Sequence, residues 1–408
     1  MRLKDIANIN PAYTGPDLGD QLVSFSPMEC LRYDSLKPIT ISFSEAKGKY
    51  TFFKDNDILF AKVTPCFENQ NIAIANNLVN GIGFGSSEIN VLRLKSDASL
   101  RYMFYVICSN RFYNTGCSSM CGVGGLKRIN PRAVSTFEFT MPSLVEQEAI
   151  AAYLDKECKK IGRKIELLER KADAYSRLRR SLINRAVTRG LDPNVSLKPS
   201  GNNWIGDIPQ HWGDERVEKY FHNNTSYNKD FQYKHAFKFF KGTIIHKDET
   251  FEEDEYQDTY EKYTIVEPND IIINGLNLNY DLKSMRVGKV TENGIITSAY
   301  IVLRPYNNVC SDFFNYLFKA FDYRKFFHGM GKGIRLTLSF NELRYFEIPI
   351  PPIDEQKKIA AYLDEKCAKI DAILEKINTE VERLKELKRS LINEVVTGQR
   401  AIDTESHS

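Results

Sequence analysis

The sequence reads Pro142-Ser143-Leu144-Val145-Glu146-Gln147 and then Ile150-Ala151-Ala152-Tyr153-Leu154-Asp155, and it repeats this pattern at Pro351-Pro352-Ile353-Asp354-Glu355-Gln356 and Ile359-Ala360-Ala361-Tyr362-Leu363-Asp364. The two copies continue to Arg180-Ser181-Leu182-Ile183-Asn184 and Arg389-Ser390-Leu391-Ile392-Asn393. Equivalent residues stay 209 positions apart throughout, as Glu146 and Glu355 are, so no residue has been inserted or lost between the copies. A fixed repeat of this kind decides the architecture before any single element does.

Each copy predicts one long helix, because apolar residues recur at steps of three and four among charged flanks. The matching seams favour two helices that pack on each other as a coiled coil; the alternative is two amphipathic helices on unrelated cores. The first seam contains Ile150, Leu154, Cys158, Ile161, Ile165, Leu168, Ala172, Tyr175, Leu178 and Leu182. The second contains Ile359, Leu363, Cys367, Ile370, Leu374, Ile377, Val381, Leu384, Leu387 and Leu391.

The ends of both helices carry residues typical of helix caps. Ser143 and Glu146 have the spacing of a capping box, and Asp354 is predicted to cap the second helix. Gly190 and Gly398 stand where carboxyl-terminal caps are expected. At 1.5 Å per residue, roughly forty residues would form a rod of about 60 Å.

Length and composition indicate a folded protein of two or three domains. The chain has 408 residues, of which 42% are hydrophobic and 12% aromatic, and this length exceeds that of a single core. No apolar run is long enough to span a membrane, and the first residues do not resemble a signal peptide. We therefore expect a cytoplasmic protein with reduced cysteines. The net charge of +3 permits nucleic-acid binding through local patches without requiring it.

The segments before the two long helices share one plan. Each has short β-rich runs, an aromatic-rich helix (about Leu100 to Tyr113, and Asp312 to Phe327), a glycine-rich loop and a predicted strand that enters the long helix, such as Phe137-Glu138-Phe139. The sequence thus predicts two tandem α/β (α+β) globules, each followed by a long helix. The predicted boundaries are a first globule at 1–142, a helix at 143–190, a linker at 191–212, a second globule at 213–350, a helix at 351–398 and a tail at 399–408.

Three stretches imitate catalytic motifs incompletely. Asn10-Pro11-Ala12-Tyr13 is close to the Asn-Pro-Pro-Tyr of amino-methyltransferases but lacks the second proline. Gly81-Ile82-Gly83-Phe84-Gly85 lies between predicted strands and does not open a helix, so a hairpin turn is the better prediction. Gly329-Met330-Gly331-Lys332-Gly333 lacks the Walker spacing, and the histidines form no metal-ligand pattern. We predict that this chain alone is not an enzyme, binds no metal and binds no cofactor.

Binding chemistry is better supported than catalysis, although each residue taken singly has a solvated loop position as its alternative. Glycine-rich loops allow a backbone to approach phosphates, lysine and arginine supply charge or forked donors for guanine, and amides pair with adenine edges. The candidate DNA-binding residues of the first globule are Lys62, Asn69, Gln70, Asn71, Lys127 and Arg128. Those of the second globule are Asn277, Asn279, Lys283, Arg286, Lys332 and Arg335.

These features resemble the specificity subunit of type I restriction-modification systems over essentially the whole chain. The resemblance rests on the Pro-x-x-x-Glu-Gln entries, the two Ala-Ala-Tyr-Leu-Asp segments, the Ser-Leu-Ile-Asn endings and Trp204-Ile205-Gly206-Asp207-Ile208-Pro209-Gln210-His211-Trp212. Ile58-Leu59-Phe60-Ala61-Lys62-Val63-Thr64-Pro65-Cys66-Phe67-Glu68-Asn69 is also similar to a target-recognition segment of that family, although Gln70-Asn71 stands where Gly-Lys often follows.

The resemblance implies two target-recognition domains that each read half of a split double-stranded DNA site. It also implies that the two helices form an antiparallel spacer and dock two methyltransferase subunits. A spacer of about 60 Å is somewhat under two turns of B-DNA. S-adenosylmethionine, ATP and Mg are expected on partner subunits, including motor-nuclease subunits when restriction occurs. The implied spacer and partner residues are Glu146, Gln147, Tyr153, Leu154, Leu182, Asn184, Glu355, Gln356, Tyr362, Leu363, Leu391 and Asn393.

Two other classes of function remain open at this point. A self-sufficient methyltransferase or nuclease would need a cofactor loop or clustered carboxylates, which the sequence does not display. A coiled-coil adaptor with protein-binding heads would show no salt-dependent affinity for DNA.

Overall fold

A computed structural model of the chain describes residues 1–95, 98–123, 125–229, 231–240, 242–247, 257–279, 285–306, 308–333 and 336–402. The chain forms two compact units. Unit 1 contains Met1–Glu169 and Asn378–Ser408, and unit 2 contains Arg170–Ile377. The unit boundaries fall within the two long helices, so each unit contains one globule and a part of both helices.

Unit 1 contains short strands and helices that precede the first long helix. Its helices are α1 (Leu3–Ile6), α2 (Phe43–Ala46), α3 (Leu100–Cys108), α4 (Asn110–Ser118), α5 (Pro131–Ser135) and the first part of α6 (Leu144–Arg189). Its strands are β1 (Ala7–Ile9), β2 (Leu22–Ser26), β3 (Leu31–Arg32), β4 (Ser35–Leu36), β5 (Ile39–Ser42), β6 (Thr51–Lys54), β7 (Ile58–Ala61), β8 (Ile72–Ile74), β9 (Ile82–Gly85), β10 (Ile89–Leu94), β11 (Cys121–Val123) and β12 (Leu126–Arg128).

The central sheet of unit 1 has the antiparallel order β1-β10-β7-β8. Strand β7 is buried on both faces, which explains its continuous apolar sequence. Ile58 and Phe60 pack with α3 and α6, whereas Leu59 packs in a separate cluster on the opposite face. A second sheet has the order β5-β2-β9-β6, in which β2 and β9 run parallel.

Unit 2 repeats this arrangement with shorter strands. Its helices are the remainder of α6, then α7 (Gln257–Tyr260), α8 (Ser311–Tyr323), α9 (Phe326–Met330), α10 (Phe340–Leu343) and most of α11 (Ile353–Val396). Its strands are β13 (Leu197–Pro199), β14 (Asp207–Pro209), β15 (Gly213–Arg216), β16 (Phe221–Asn223), β17 (Phe237–Phe240), β18 (Thr243–His246), β19 (Thr264–Val266), β20 (Ile271–Ile273), β21 (Val287–Lys289), β22 (Gly294–Ile296), β23 (Ile301–Pro305) and β24 (Glu347–Ile350).

The sheet order of unit 2 confirms the internal repeat. Its central sheet is β16-β23-β20-β21, the counterpart of β1-β10-β7-β8. Strands β17 and β18 pair, β19 and β22 pair, and a parallel bridge between Ala236 and Ile295 joins the two pairs. This reproduces the second sheet of unit 1, including its one parallel neighbour.

One buried ion pair recurs in the central sheet of each unit. The Asp57 carboxylate accepts from the Arg93 guanidinium at 2.7 and 2.9 Å, and Asp270 accepts from Arg304 at 2.8 and 3.0 Å. Each aspartate also accepts a backbone N–H three residues earlier in its turn. The sequence around each ion pair is repeated: Asn56-Asp57-Ile58 matches Asn269-Asp270-Ile271, and Leu92-Arg93 matches Leu303-Arg304. These repeated residues therefore stabilise the fold of each unit.

The long helices pack antiparallel within each unit. In unit 1 the Lys164 ammonium lies 3.0 Å from the Glu380 carboxylate, while Cys158 shares a core with Leu391. In unit 2 Arg179 lies 3.0 Å from Asp371, and the later residue Ile183 shares a core with the earlier Ile359. A residue farther along α6 thus meets an earlier part of α11 in both units, as the predicted antiparallel coiled coil requires.

The predicted seam is wrong at one equivalent position of each helix. Leu178 is 47% exposed and Leu387 is 52% exposed. The next residues turn inward: the Arg179 guanidinium donates to the Tyr323 hydroxyl at 2.6 Å, and the Lys388 ammonium lies 3.7 Å from the Tyr33 ring centre. Tyrosines of the globules thus contact these cations, so the globule takes part in packing at this turn of each long helix.

The predicted helix caps are confirmed with one exception. Ser143 and Glu146 form a capping box, with the Ser143 N–H donating to the Glu146 carboxylate at 2.8 Å. Gly190 and Gly398 adopt left-handed backbone angles, with φ of 71° and 74°. Asp354 does not cap the second helix, because α11 begins at Ile353 and the aspartate lies within its first turn.

Several smaller predictions differ from the structure. The aromatic-rich segment of unit 1 forms two helices because Ser109 ends α3 and caps α4. Residues 82–85 form a strand and not a hairpin turn. Phe137-Glu138-Phe139 makes only an isolated bridge between Glu138 and Arg2, so the predicted strand is wrong there. The segment predicted as a linker contains the β13–β14 hairpin and the buried Trp212.

Candidate nucleic-acid interface

The hairpin β11–β12 of unit 1 presents its six strand residues to solvent. Its base is held by Thr64, whose backbone N–H donates to the Lys127 carbonyl at 3.0 Å and whose hydroxyl accepts from the Lys127 N–H at 2.9 Å. Val123 is 89% exposed at the tip, beside Gly122 and Gly125. The arrangement is a rigidly rooted loop that offers glycine backbone and a lysine to a ligand.

The basic residues around this hairpin differ in availability. Arg128 forms a forked pair with the Glu88 carboxylate at 2.6–3.1 Å, and this pair lowers the pKa of Glu88. The side chain of Lys127 is exposed. Lys62 is half-buried, and its backbone joins Glu88 on one side and Ile129 on the other. Among the described residues Lys127 has no ion-pair partner, whereas the guanidinium of Arg128 is paired with the Glu88 carboxylate.

The predicted amide cluster of unit 1 divides in the structure. Asn69 is exposed. The Gln70 side chain donates to the Cys108 carbonyl at 3.2 Å, with the backbone of Gln70 in a left-handed conformation at φ of 51°. Asn71 is buried, with only 7% of its surface exposed. A base contact by Asn71 is incompatible with this burial, so that prediction is corrected.

Unit 2 places a comparable loop after α9. A bridge joins Lys332 to Thr337, and the Leu338 N–H donates to the Gly275 carbonyl at 2.9 Å. The loop is thus held by the segment after β20, as Thr64 after β7 holds the hairpin of unit 1. The Lys332 side chain is 76% exposed and lies 3.3 Å from the Glu342 carboxylate. Lys283 and Arg335 lie outside the residues that the structure describes.

The asparagines of unit 2 lie on the surface, whereas Arg286 does not. Asn277 and Asn279 are exposed. Arg286 is only 2% exposed, and its guanidinium donates to the Asn274 carbonyl at 3.1 Å and the Leu276 carbonyl at 2.7 Å. Because its donors hold the loop from inside, the prediction that Arg286 contacts DNA directly is corrected.

The repeated glutamines act within each unit. Gln147 accepts from the Ser99 N–H at 2.9 Å and donates to the Pro142 carbonyl at 2.8 Å. Gln356 likewise accepts from the Cys310 N–H at 3.1 Å and donates to the Pro351 carbonyl at 2.9 Å. Both glutamines are 2% exposed. They join the start of each long helix to the start of the aromatic-rich helix, and their burial keeps both side chains from the surface.

The aspartates of the repeated Ala-Ala-Tyr-Leu-Asp segments have a role that the sequence analysis missed. Asp155 accepts from the Tyr105 hydroxyl at 2.6 Å, and Asp364 accepts from the Tyr316 hydroxyl at 2.7 Å. Burial raises the pKa of both tyrosines, and the aspartate bond raises it further. The signal was present, because tyrosine and aspartate recur together in both halves.

The remaining predicted spacer and partner residues differ in how far they are buried. Leu154, Leu363 and Leu391 are buried, and Leu182, Asn184, Asn393, Tyr153 and Tyr362 are half-buried. Glu146 is exposed and serves its capping box. Glu355 lies 2.8 Å from the His211 imidazole. The structure therefore brings Leu154, Leu363 and Leu391 into the cores of the units.

The motif that imitates a methyltransferase is structural. Asn10 donates to the Asn90 side chain at 3.1 Å and accepts from the Val91 N–H at 2.8 Å. Asn223 accepts from the Val302 N–H in the same way in unit 2. Tyr13 packs against the rings of Phe43 and Phe52 at 5.2 and 5.0 Å. Both side chains are thus engaged within unit 1.

The described part of the chain contains no group of three or more histidine, cysteine, aspartate or glutamate side chains placed to hold a metal ion. It also contains no helix that combines the length and the apolar character needed to cross a membrane.

Comparison with known proteins identifies the family. The model of the type I restriction modification DNA specificity domain matches residues 1–171 and again residues 210–383. The EcoEI specificity subunit of Escherichia coli is 36% identical over 160 residues, which are 38% of this chain and 27% of that protein. The EcoAI specificity subunit of the same organism is 38% identical over 152 residues, which are 36% of this chain and 26% of that protein. The match thus spans about a quarter of the length of these two relatives.

A solved structure supports the fold independently. A chain described under complex assembly and conformational transition of the type I R-M system superposes with a TM-score of 0.71. The superposition covers 98% of this chain and 97% of that chain at 15% sequence identity, so it establishes the shared architecture alone. Because the family model covers most of the sequence in two successive copies, this chain belongs to the family of type I restriction modification DNA specificity domains.

Proposed function

We propose that this chain is the DNA sequence-specificity subunit of a type I restriction-modification complex. Each unit reads one half of a bipartite double-stranded site. The observation that carries the proposal is the duplication of the rooted loop: Lys127 and Lys332 lie on exposed glycine-flanked loops, each held by the segment that follows the equivalent central strand. Glycine and lysine at such a loop suit close contact with phosphates and groove edges.

The long helices space the two units and dock two methyltransferase subunits. Exposed residues also recur in the repeat, such as Ala152 with Ala361 and Arg180 with Arg389. Packing does not require identity at exposed positions, so two equivalent surfaces for two copies of one partner are favoured. In this assembly S-adenosylmethionine is bound by the methyltransferase subunits, and ATP and Mg act on motor-nuclease subunits. This chain positions DNA and performs no catalysis.

Methylation mapping tests the proposal. The chain is expressed with its cognate methyltransferase subunit in a host lacking adenine methylation, and methylated adenines are located by single-molecule sequencing. We expect one split motif that requires this chain. A continuous short motif, or no methylation from a stable complex, would contradict the proposal and favour a protein-binding adaptor.

Single substitutions assign each half of the motif to one unit. Lys127→Ala is expected to lower methylation and relax base preference at one half-site, and Lys332→Ala at the other, because each removes one loop cation. Lys159→Ala, at an exposed position of α6, is the matched control and leaves the motif unchanged. Both loop variants affecting the same half-site would refute the assignment of one half-site to each unit.

A further inference from the structure

A polar cavity lies in unit 2 where helix α6 ends. Its volume is about 370 Å³. The residues that line it are Ser181, Asn184, Arg185, Thr188, Arg189, Ile205 and Arg324. The α6 members recur at helical spacing and so share one face of the helix. Six of these seven residues carry a polar or charged side chain, and none is acidic.

Among the described residues, no carboxylate forms an ion pair with the arginines that line this cavity. Within the described residues, Arg185 and Arg189 are exposed and have no ion-pair partner. On the same helix, by contrast, Arg179 pairs with Asp371 and Arg180 lies 5.3 Å from the Tyr323 ring centre. The Arg324 guanidinium donates to the Trp204 carbonyl, which fixes it at the cavity wall. Three arginines thus line one cavity in a protein whose total net charge is only +3.

The internal repeat shows that the fold does not require these arginines. At the 209-residue offset, Glu394 replaces Arg185. The second copy is one residue shorter at its end, so the capping Gly398 directly follows Thr397, where the first copy has Arg189 between Thr188 and its capping Gly190. Glu394 accepts a hydrogen bond from the Ser390 hydroxyl at 2.7 Å, and α11 ends without a basic residue in its last turn. Favourable interaction with the helix dipole is therefore not a requirement at this end of the repeated helix. A ligand with negative charge explains the difference better.

We propose that this cavity binds a phosphate group of the DNA backbone. Guanidinium forks match phosphate oxygens in pairs, and the Ser181 hydroxyl and the Asn184 amide add neutral donors at the same face. The contact would position the duplex without reading bases. This inference rests on the proposed function and adds to it a backbone site separate from the lysine loops.

The test measures how affinity for a random-sequence duplex depends on salt, using the chain purified with its methyltransferase subunit. Each phosphate neutralised contributes about 0.9 to the slope of log K against log salt. Arg185→Gln/Arg189→Gln is expected to reduce the slope by about 0.9, because it removes one phosphate contact. The matched control is Lys159→Gln/Arg163→Gln, which removes two exposed charges, also four residues apart, from the part of α6 in unit 1, and it leaves the slope unchanged.

The outcomes separate this inference from the proposed function. An unchanged slope in the arginine variant, or an equal fall in the control, overturns the cavity assignment while duplex binding stands. A wild-type complex that binds no duplex overturns the proposed function together with the inference. Calorimetric binding of inorganic pyrophosphate that is lost in the variant, with an unchanged duplex slope, would indicate a free-anion site instead. Weaker assembly with the methyltransferase subunit at unchanged slope would indicate an acidic protein partner instead.

Discussion

The burial of polar side chains decides which of the DNA-binding residues predicted from the sequence can still contact DNA. Asn71 and Arg286 have the side-chain chemistry that suits base readout, yet both are enclosed by their own units. Arg286 shows why: a residue with many donors is also well suited to holding loop carbonyls, here those of Asn274 and Leu276. Exposed Lys127 and Lys332 remain the candidates best supported by both sequence and structure.

Lys319 gives a pH-dependent prediction at this scale. Burial, with a further contribution from Arg179, lowers the pKa of Lys319 from 10.5 to about 8. The unfolded chain therefore binds more protons between these pH values, and stability rises as pH increases from about 8 towards 10.5. We expect Lys319→Met to stabilise unit 2 at pH 7 by at most roughly 3 kcal/mol, with the gain shrinking towards pH 10.

Tryptophan fluorescence during urea unfolding measures this change in unit 2. Both tryptophans of the chain, Trp204 and Trp212, lie in that unit. Lys376 is exposed and lies within unit 2, so Lys376→Met serves as the control and should change stability little at either pH. A Lys319→Met gain that does not vary with pH would contradict the burial argument.

At the scale of elements, the long helices follow the repeated pattern except where a globule intervenes. Ile183 is fully buried in the core of unit 2, although the predicted seam ran through Leu178 and Leu182. The globule adds a second packing surface to each helix, so the buried stripe shifts away from a simple heptad seam. Apolar residues spaced three and four positions apart specify the helix, but they do not specify which neighbouring segment packs on each of its turns.

Two truncations on helix α6 test this shift. Ile183→Ala is expected to cost about 2–5 kcal/mol of unfolding free energy, since it leaves a cavity in a packed core. Leu178→Ala is expected to change stability by less than about 0.5 kcal/mol, because nearly half of the side chain is already exposed. Tryptophan-monitored urea unfolding checks both variants. A large loss of unfolding free energy in Leu178→Ala would contradict this shift and support the seam predicted from the sequence.

At the scale of the whole molecule, each compact unit depends on both long helices. The core of unit 1 includes Leu391, Ile392, Val395 and Val396 from the end of α11. The main core of unit 2 draws on the beginning of α11 instead, including Ile359 and Leu363. Residues far apart in sequence are therefore required for one unit, as the division of both helices implies.

Ending the chain after residue 377 is expected to unfold unit 1 and spare unit 2. Four buried aliphatic side chains contribute roughly 6–12 kcal/mol together, which is comparable to the stability of a whole domain. Thiol labelling with mass spectrometry should then detect Cys108 and Cys158, which are 1% and 6% exposed in the intact unit. Cys367 should stay protected, and the emission of Trp212 should not shift.

Ending the chain after residue 402 provides the control, because it retains the whole of α11. Protection of all three cysteines is expected in that variant. Continued protection of Cys108 and Cys158 in the chain ending at 377 would contradict the dependence of unit 1 on the second helix.

The sequence alone determined the repeated architecture, because the 209-residue offset and the apolar periodicity can both be read directly from the order of the residues. It also predicted the long helices, the glycine caps and the loops that carry Lys127 and Lys332. Only the tertiary structure decided that Asn71 and Arg286 are internal, that Leu178 and Leu387 face outward, and that Arg185, Arg189 and Arg324 line one cavity. Burial and convergence depend on which distant segments pack together, and no local pattern encodes those contacts.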